Sequence, residues 1–86
     1  MAEYRIEFLK TAQKELSKLP REIQTKIALA IDFLKLEPYP NNVKKLKGSE
    51  GLFRIRVGDY RIIYKIENKN LIILVVKIGH RRDIYQ

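Results

Sequence analysis

The segment FRIRVGDYRIIYKI, residues 53–66, constrains the fold of this chain more than any other stretch. Two runs of alternating apolar residues flank a Gly-Asp dipeptide at 58–59, which predicts a β-hairpin with a two-residue loop. Side chains alternate between the two faces of a strand. One face therefore carries Phe53, Ile55, Val57, Tyr60, Ile62 and Tyr64, and the other carries Arg54, Arg56 and Arg61.

The arginine face of this hairpin raises an electrostatic problem. The predicted pairing sets Arg56 directly opposite Arg61, with Cβ atoms about 5 Å apart, where like charges destabilise a sheet. An oxyanion bound between them would reverse that effect, and the planar guanidinium group suits phosphate particularly well. The alternative is that these side chains extend into water or pair with a carboxylate such as Glu50. We favour a phosphate site.

The charge of the chain is polarised along the sequence. The total is +8 over 86 residues. Residues 1–43 hold seven basic and six acidic residues, whereas residues 44–86 hold eleven basic and four acidic residues. A basic half-domain indicates a polyanionic partner, and nucleic acid is the first candidate. A plain solubilising surface is the alternative.

The remaining elements follow from hydrophobic periodicity. Residues 9–37 show two amphipathic helices separated by Pro20, with Thr11 as the expected N-cap of the first. Strands are expected at 4–8, 52–57, 60–66 and 71–78. The order β-α-α-β-β-β predicts a single α+β domain over residues 1–86. In it, a helical hairpin packs on one face of a mostly antiparallel four-stranded sheet.

The last strand is apolar on both faces. A turn at 67–70 would set Ile66 opposite Leu71 and place four apolar residues on the arginine face: Ile72, Leu74, Val76 and Ile78. The helices can cover only one face of the sheet. We therefore expect the arginine face to be a groove with an apolar floor and cationic walls, which an amphipathic partner segment would partly cover.

Several classes of function and location are disfavoured. The chain has no cysteine and one histidine, so we expect neither a disulfide framework nor a zinc site, and no cofactor. The N-terminal MAEYRIEFLK does not resemble a signal peptide, and LIILVV is too short to span a bilayer. We expect a cytoplasmic protein that does not bind membranes.

Basic and aromatic residues outside the hairpin complete the candidate site. The loop before it carries Lys44, Lys45 and Lys47, and the C-terminal segment carries His80, Arg81, Arg82 and Tyr85. Tyr85 could stack on a base or simply pack on the edge of the domain. A single histidine is more often a hydrogen-bonding surface residue than a catalytic one, although it could exchange a proton near neutral pH.

Together, the element order, KLKG at 45–48, the hairpin and the closing GHRRDIY resemble the RelE/ParE superfamily of toxins from toxin–antitoxin modules. RelE-like members of that family cut mRNA in the ribosomal A site with the RNA's own 2′-hydroxyl as nucleophile. ParE-like members inhibit DNA gyrase and lack nuclease residues. The basic hairpin and the terminal tyrosine resemble the RelE branch. The implied partners are a cognate antitoxin, the ribosome and mRNA.

The resemblance implies roles for individual residues. Each residue is assigned the role of the family residue that it matches. Arg61 matches an arginine that holds the scissile phosphate, and Tyr85 matches a base-stacking tyrosine. Arg81 matches a proposed general acid, with Arg82, one residue away, as the alternative match. The three loop lysines match an RNA-contacting loop, and apart from the resemblance Arg81 and Arg82 extend the cationic surface, which makes Arg82 a candidate RNA-binding residue. Arg54 and Arg56 stand where RelE proteins carry lysines.

The general base is where this chain departs from the family. One of those family lysines is a proposed base, and arginine stays protonated and makes a poor one. His80 is therefore our own hypothesis for the base. The competing functions are gyrase inhibition and simple nucleic-acid binding.

Overall fold

The computed structural model describes residues 3–48, 51–80 and 82. Within them the chain forms five strands and two helices. In chain order these are β1 (Arg5–Phe8), α1 (Lys10–Ser17), α2 (Arg21–Phe33), β2 (Lys44–Lys45), β3 (Leu52–Val57), β4 (Tyr60–Glu67) and β5 (Ile72–His80).

The strands form one mixed sheet in the order β1-β5-β4-β3-β2. β1 runs parallel to β5, and every other pair is antiparallel. The predicted α+β fold, with two helices on a mostly antiparallel sheet, is confirmed. The predicted count of four strands misses β2, whose two residues lie in the segment expected to be a loop and pair with β3.

Both helices pack on one face of the sheet through the residues that repeat with helical spacing. Ala12 of α1 and Ile27 and Ile31 of α2 are buried. They contact sheet residues Ile55, Ile62, Tyr64, Ile66, Ile73, Val75 and Ile78 in a single core. In the described part of the chain, neither helix is long and apolar enough to cross a bilayer.

The start of α1 differs from the sequence prediction. The N-cap is Leu9, with extended backbone angles, and the expected cap Thr11 lies inside the helix. The backbone N–H of Leu9 donates to the Val75 carbonyl over 3.0 Å. Because that bond extends the pairing of β1 with β5 as far as Leu9, the helix begins at Lys10. The prediction of Thr11 as cap is wrong.

The central hairpin has the predicted register. Arg56 lies opposite Arg61, Ile55 opposite Ile62 and Val57 opposite Tyr60. Gly58 opens the loop with φ +60°, a left-handed conformation that glycine adopts without strain. The two predicted faces of the hairpin are therefore confirmed.

The pairing of β5 differs from the prediction in two ways. β4 extends to Glu67, so Ile66 pairs with Ile73 instead of Leu71. A β-bulge then interrupts the register: Tyr64 pairs with Val75 but Ile63 with Lys77, which leaves Val76 as an extra residue.

The bulge changes which side chains of β5 face the helices. One extra residue reverses the alternation of all residues after it. Ile72 and Leu74 lie on the arginine face, as predicted. Ile78 was expected on that face as well, but it pairs with Ile62 and is buried in the core. That part of the prediction is wrong.

Candidate functional site

Four of the cationic side chains on the face of the sheet that the helices leave uncovered, which we call the open face, are paired across β2, β3 and β4. Lys44 pairs with Arg54 across β2 and β3. Arg56 pairs with Arg61 across β3 and β4. Directly paired residues project on the same side of a sheet. We call Lys44, Arg54, Arg56 and Arg61 the cationic cluster.

Local contacts hold the β3 part of this cluster in place. The Arg56 guanidinium Nε donates to the Gly58 carbonyl oxygen over 3.0 Å, so the side chain lies towards the loop of the hairpin. The side-chain amide of Asn42 donates to the Arg56 carbonyl over 3.1 Å, which ties the preceding loop to the strand. Arg54 and Arg61 are half-buried, whereas Lys44 and Arg56 are exposed.

The cationic cluster lines a surface depression of about 280 Å³. Its other lining residues are Asn41, Asn42, Val43 and Ile55. None of these described lining residues is acidic. Four positive charges beside two amides make a site for an anion with several oxygen atoms, such as a phosphodiester. Glu50, the alternative partner considered for the arginines, lies outside the described residues.

An apolar band continues the open face beyond the cationic cluster. Ile63 lies opposite Arg54, and Leu52 lies opposite Lys65. Ile72 and Leu74 follow on β5, and all four apolar side chains are only partly buried. The open face therefore combines cationic and apolar surface, as the sequence predicts for a partner-binding groove.

His80 lies on the other face of the sheet. It pairs with Tyr60 across β4 and β5, and the two rings meet edge to face at a centroid distance of 5.4 Å. Both residues line a second depression together with Glu15, Lys18 and Lys77. The bulge at Val76 causes this placement, because it reverses the alternation of β5 before His80. The structure thus sets His80 apart from the cationic cluster.

The remaining candidate residues are distributed as follows. Lys45 pairs with Phe53, on the helix side of the sheet. Lys47 lies in the following turn, and Arg82 lies just beyond β5; both are exposed. Arg81 and Tyr85 lie outside the described residues, so their predicted roles stay predictions. Asn42 lines the depression of the cationic cluster, but the sequence did not predict it as a site residue, because PYPNN is typical of a turn.

Acidic, histidine and cysteine side chains do not gather at the site. Across residues 3–48, 51–80 and 82, no group of three or more such side chains could hold a metal ion.

Comparison with known proteins gives matches along nearly the whole chain. Residues 6–85 match the family model described as the ParE toxin of the type II toxin–antitoxin system parDE. The putative toxin RelE1 of Methanocaldococcus jannaschii is 33% identical over 86 residues, covering 96% of each chain. Toxin RelG of Mycobacterium tuberculosis is 31% identical over 84 residues, covering 96% of this chain and 97% of its own.

Solved structures show the same fold. The archaeal RelE–RelB complex from Pyrococcus horikoshii superposes with a TM-score of 0.81 at 35% identity, covering 91% of this chain and 94% of that one. The RelBE2 toxin–antitoxin complex of Mycobacterium tuberculosis superposes with a TM-score of 0.81 at 30% identity, covering 92% of this chain and 99% of that one. Fold and sequence together define a toxin of a type II toxin–antitoxin system. The chain belongs to the RelE/ParE superfamily, in its RelE-like branch.

Proposed function

We propose that this toxin is a metal-independent endoribonuclease that cuts mRNA in the ribosomal A site and so inhibits translation. The observation that carries the proposal is the cationic cluster, above all Arg56 directly opposite Arg61 on adjacent strands. Such a pairing weakens an empty sheet and stabilises one that holds a phosphate. Ribosomes and mRNA place this activity in the cytoplasm.

The cluster suits the charge changes of RNA cleavage by internal attack. The 2′-oxygen bonds to the adjacent phosphorus as its proton is removed, and the bond from phosphorus to the 5′-oxygen breaks. The products are a 2′,3′-cyclic phosphate and a 5′-hydroxyl that takes up a proton. We assign Arg61 to the scissile phosphate, and Arg54 and Arg56 to the dianionic transition state, since preorganised donors act most strongly where charge develops.

Residues around the cluster would hold the rest of the substrate. Lys44 extends the cluster onto β2, and the family roles assign Lys45 and Lys47 to RNA contacts. The exposed Arg82 would add its charge to the RNA-binding surface. The same resemblance assigns proton donation to the 5′-oxygen to Arg81 and base stacking to Tyr85. The placement of His80 on the opposite face favours a role other than base for that residue.

We also propose that a cognate antitoxin of the RelB type covers the open face. The partly exposed apolar band supports this, because an amphipathic segment would bury it while its acidic residues paired with the cationic cluster. The toxins of Pyrococcus horikoshii and Mycobacterium tuberculosis named above were crystallised as complexes with their antitoxins.

Primer extension on translating ribosomes tests the nuclease proposal. The wild-type protein should give discrete cuts within A-site codons, and the antitoxin should abolish them. Arg61→Ala should lower the cleavage rate at least about a hundredfold, the typical cost of one charge-stabilising donor. Arg21→Ala, which removes an exposed arginine from α2, is the matched control and should cut normally. Persistent cutting by Arg61→Ala at a wild-type rate would remove Arg61 from the mechanism.

Inhibition of DNA gyrase is the second candidate function. It is favoured by one observation, the match of residues 6–85 to a family described as ParE toxin. A gyrase inhibitor would leave mRNA on ribosomes intact and trap gyrase-dependent breaks in DNA. Assays of mRNA cleavage and of gyrase-dependent DNA breaks, made on the same sample of protein, therefore distinguish the two candidate functions.

A further inference from the structure

A short but regular ladder joins β2 to β3. Lys44 lies opposite Arg54. Two residues further along the chain, the Leu46 N–H donates to the Leu52 carbonyl oxygen over 3.0 Å. Hydrogen-bonded pairs in an antiparallel ladder recur at every second residue. Lys44 and Arg54 are therefore the neighbouring hydrogen-bonded pair, and the backbone N–H of Lys44 is directed at the Arg54 carbonyl.

The backbone leaves this ladder just before Lys44. By the same register, the next hydrogen-bonded pair would join Asn42 to Arg56. The Val43 N–H instead donates to the Pro40 carbonyl oxygen over 3.0 Å, which closes a four-residue turn. Asn42 is the third residue of that turn, so its backbone does not continue the strand.

The side chain of Asn42 supplies the bond that its backbone does not. Its Nδ2 donates to the Arg56 carbonyl oxygen over 3.1 Å, so the amide takes the place of the next backbone donor of the ladder. β3 pairs with β4 along all six of its residues, whereas β2 has only two residues. The bond therefore restrains β2 more than it restrains β3.

Lys44 is the member of the cationic cluster that depends most on this restraint. It lies on β2, the edge strand of the sheet, and its side chain is exposed. Arg54, Arg56 and Arg61 lie on β3 and β4, each of which has a neighbouring strand on both sides. The position of the Lys44 ammonium therefore depends on how firmly the start of β2 is held on β3.

We propose that Asn42 is a positioning residue, whose side-chain amide holds the start of β2 on β3 and thereby keeps Lys44 in the cationic cluster. The amide presents an N–H donor to the Arg56 carbonyl and adds no charge to the cluster. An aspartate of the same shape would present only acceptors to that carbonyl. The effect on RNA binding rests on the proposed function, whereas the holding of β2 does not.

Hydrogen exchange tests the holding of β2 without any activity. In the full chain, Asn42→Ala and Asn42→Asp should each speed the exchange of the Lys44 backbone amide about fivefold, the factor that corresponds to one net hydrogen bond. Asn70→Ala is the matched control, because it removes an exposed asparagine whose Nδ2 bonds to Glu67 elsewhere in the sheet. It should leave the exchange of the Lys44 amide unchanged.

Two results of the exchange experiment would overturn the proposal. One is an unchanged rate for the Lys44 amide in both Asn42 variants, which would show that the side-chain bond does not hold β2. The other is an equal acceleration by Asn70→Ala, which would show that the Lys44 amide responds to general destabilisation of the domain.

A double-mutant cycle on RNA binding tests whether Asn42 acts through Lys44. With a short single-stranded RNA in fluorescence anisotropy, Lys44→Ala should weaken binding about fivefold, the upper effect of a surface ion pair. Asn42→Ala should weaken it at least about twofold, the lower end of the coupling between neighbouring residues. In the Lys44→Ala background, Asn42→Ala should have no further effect.

The cycle also distinguishes positioning from direct contact. Equal losses from Asn42→Ala in both backgrounds would mean that the amide itself contacts RNA. No loss in either background would mean that Lys44 needs no positioning, and each of these results would overturn the proposal. A wild-type protein that binds no RNA would overturn the proposed function alone, and the exchange rates would still decide whether Asn42 holds β2.

Discussion

At the scale of single residues, the pairing of Arg56 with Arg61 is the strongest pointer to a ligand. Like charges directly opposite on neighbouring strands cost about 0.2–1 kcal/mol, and Arg54 and Lys44 add a second cationic pair beside them. The Nε of Arg56 also donates to the Gly58 carbonyl, which holds this side chain against the loop of the hairpin. A bound phosphate would offset the repulsion.

The positions of these arginines could be predicted because they depend only on a two-residue turn and strict alternation. The position of His80 could not, since it depends on the bulge at Val76. Every residue from Leu71 to Val76 is apolar. Because both faces of this strand can hold apolar side chains, the hydrophobic pattern of β5 does not show where the alternation of its side chains reverses.

Tyr64 combines deep burial with a polar atom, and its removal is our first prediction for stability. Its side chain is fully buried, and its hydroxyl donates to the Pro38 carbonyl over 2.8 Å. Tyr64→Phe should lower the free energy of unfolding by about 1 kcal/mol at pH 7, the usual net value of one hydrogen bond. Tyr4→Phe, which removes an exposed bond to Asn68, should cost less in urea unfolding.

Tyr64 should also make stability depend on alkaline pH. Burial raises the pKa of the Tyr64 phenol well above its ordinary value, with the neighbouring Tyr39 adding to the shift. In the unfolded chain the phenol ionises near pH 10, while the folded protein keeps it protonated. Its contribution is complete below that pH and falls by about 1.4 kcal/mol per pH unit above it. Urea unfolding of Tyr64→Phe between pH 8 and 11 should show a shallower decline, and an identical slope would contradict this assignment.

At the scale of elements, the hairpin and both helices could be predicted because each has a local signal: a turn dipeptide, a proline or a periodic apolar stripe. β2 has none of these. It pairs through only Lys44 and Lys45, and two lysines between an asparagine turn and a glycine are typical of a loop. Its place in the sheet comes from β3, which offers an unpaired edge.

Glu15 joins α1 to the exposed end of β5. β1 pairs with β5 only as far as Val75, and beyond it the Ile78 N–H is taken by a carboxylate oxygen of Glu15 at 2.8 Å. Glu15→Ala should therefore lower the free energy of unfolding by about 1–3 kcal/mol, since a partly buried N–H loses its acceptor. Chemical denaturation at neutral pH measures the change.

Two control variants separate the hydrogen bond of Glu15 from its charge. Glu15→Gln keeps an acceptor oxygen and should cost clearly less than Glu15→Ala. Lys77→Ala removes the partner of the half-exposed ion pair at 3.6 Å and should cost at most about 1 kcal/mol. If Glu15→Gln proved as destabilising as Glu15→Ala, the ion pair and not the N–H contact would hold α1 to β5.

At the scale of the whole molecule, the charge asymmetry of the sequence becomes an asymmetry in space. The helices come from residues 1–43, which carry a net charge of +1, and they cover one face of the sheet. β2, β3 and β4 come from the half that carries +7, and they lie side by side at one end of the strand order. The open face therefore concentrates the excess charge, which would steer the proposed mRNA substrate towards this face as well as bind it.

The salt dependence of RNA binding measures how many of these charges contact phosphates. Counterion release from single strands gives a slope of log K against log salt of about −0.7 per phosphate contact. Four contacts from the cationic cluster predict a slope of about −3 for a short single-stranded RNA in fluorescence anisotropy. Lys44→Ala should make the slope shallower by about 0.7, while Lys26→Ala, an exposed lysine on α2, should leave it unchanged. Equal slopes for Lys44→Ala and the wild type, or a shallower slope for Lys26→Ala, would show that RNA binds elsewhere than on the open face.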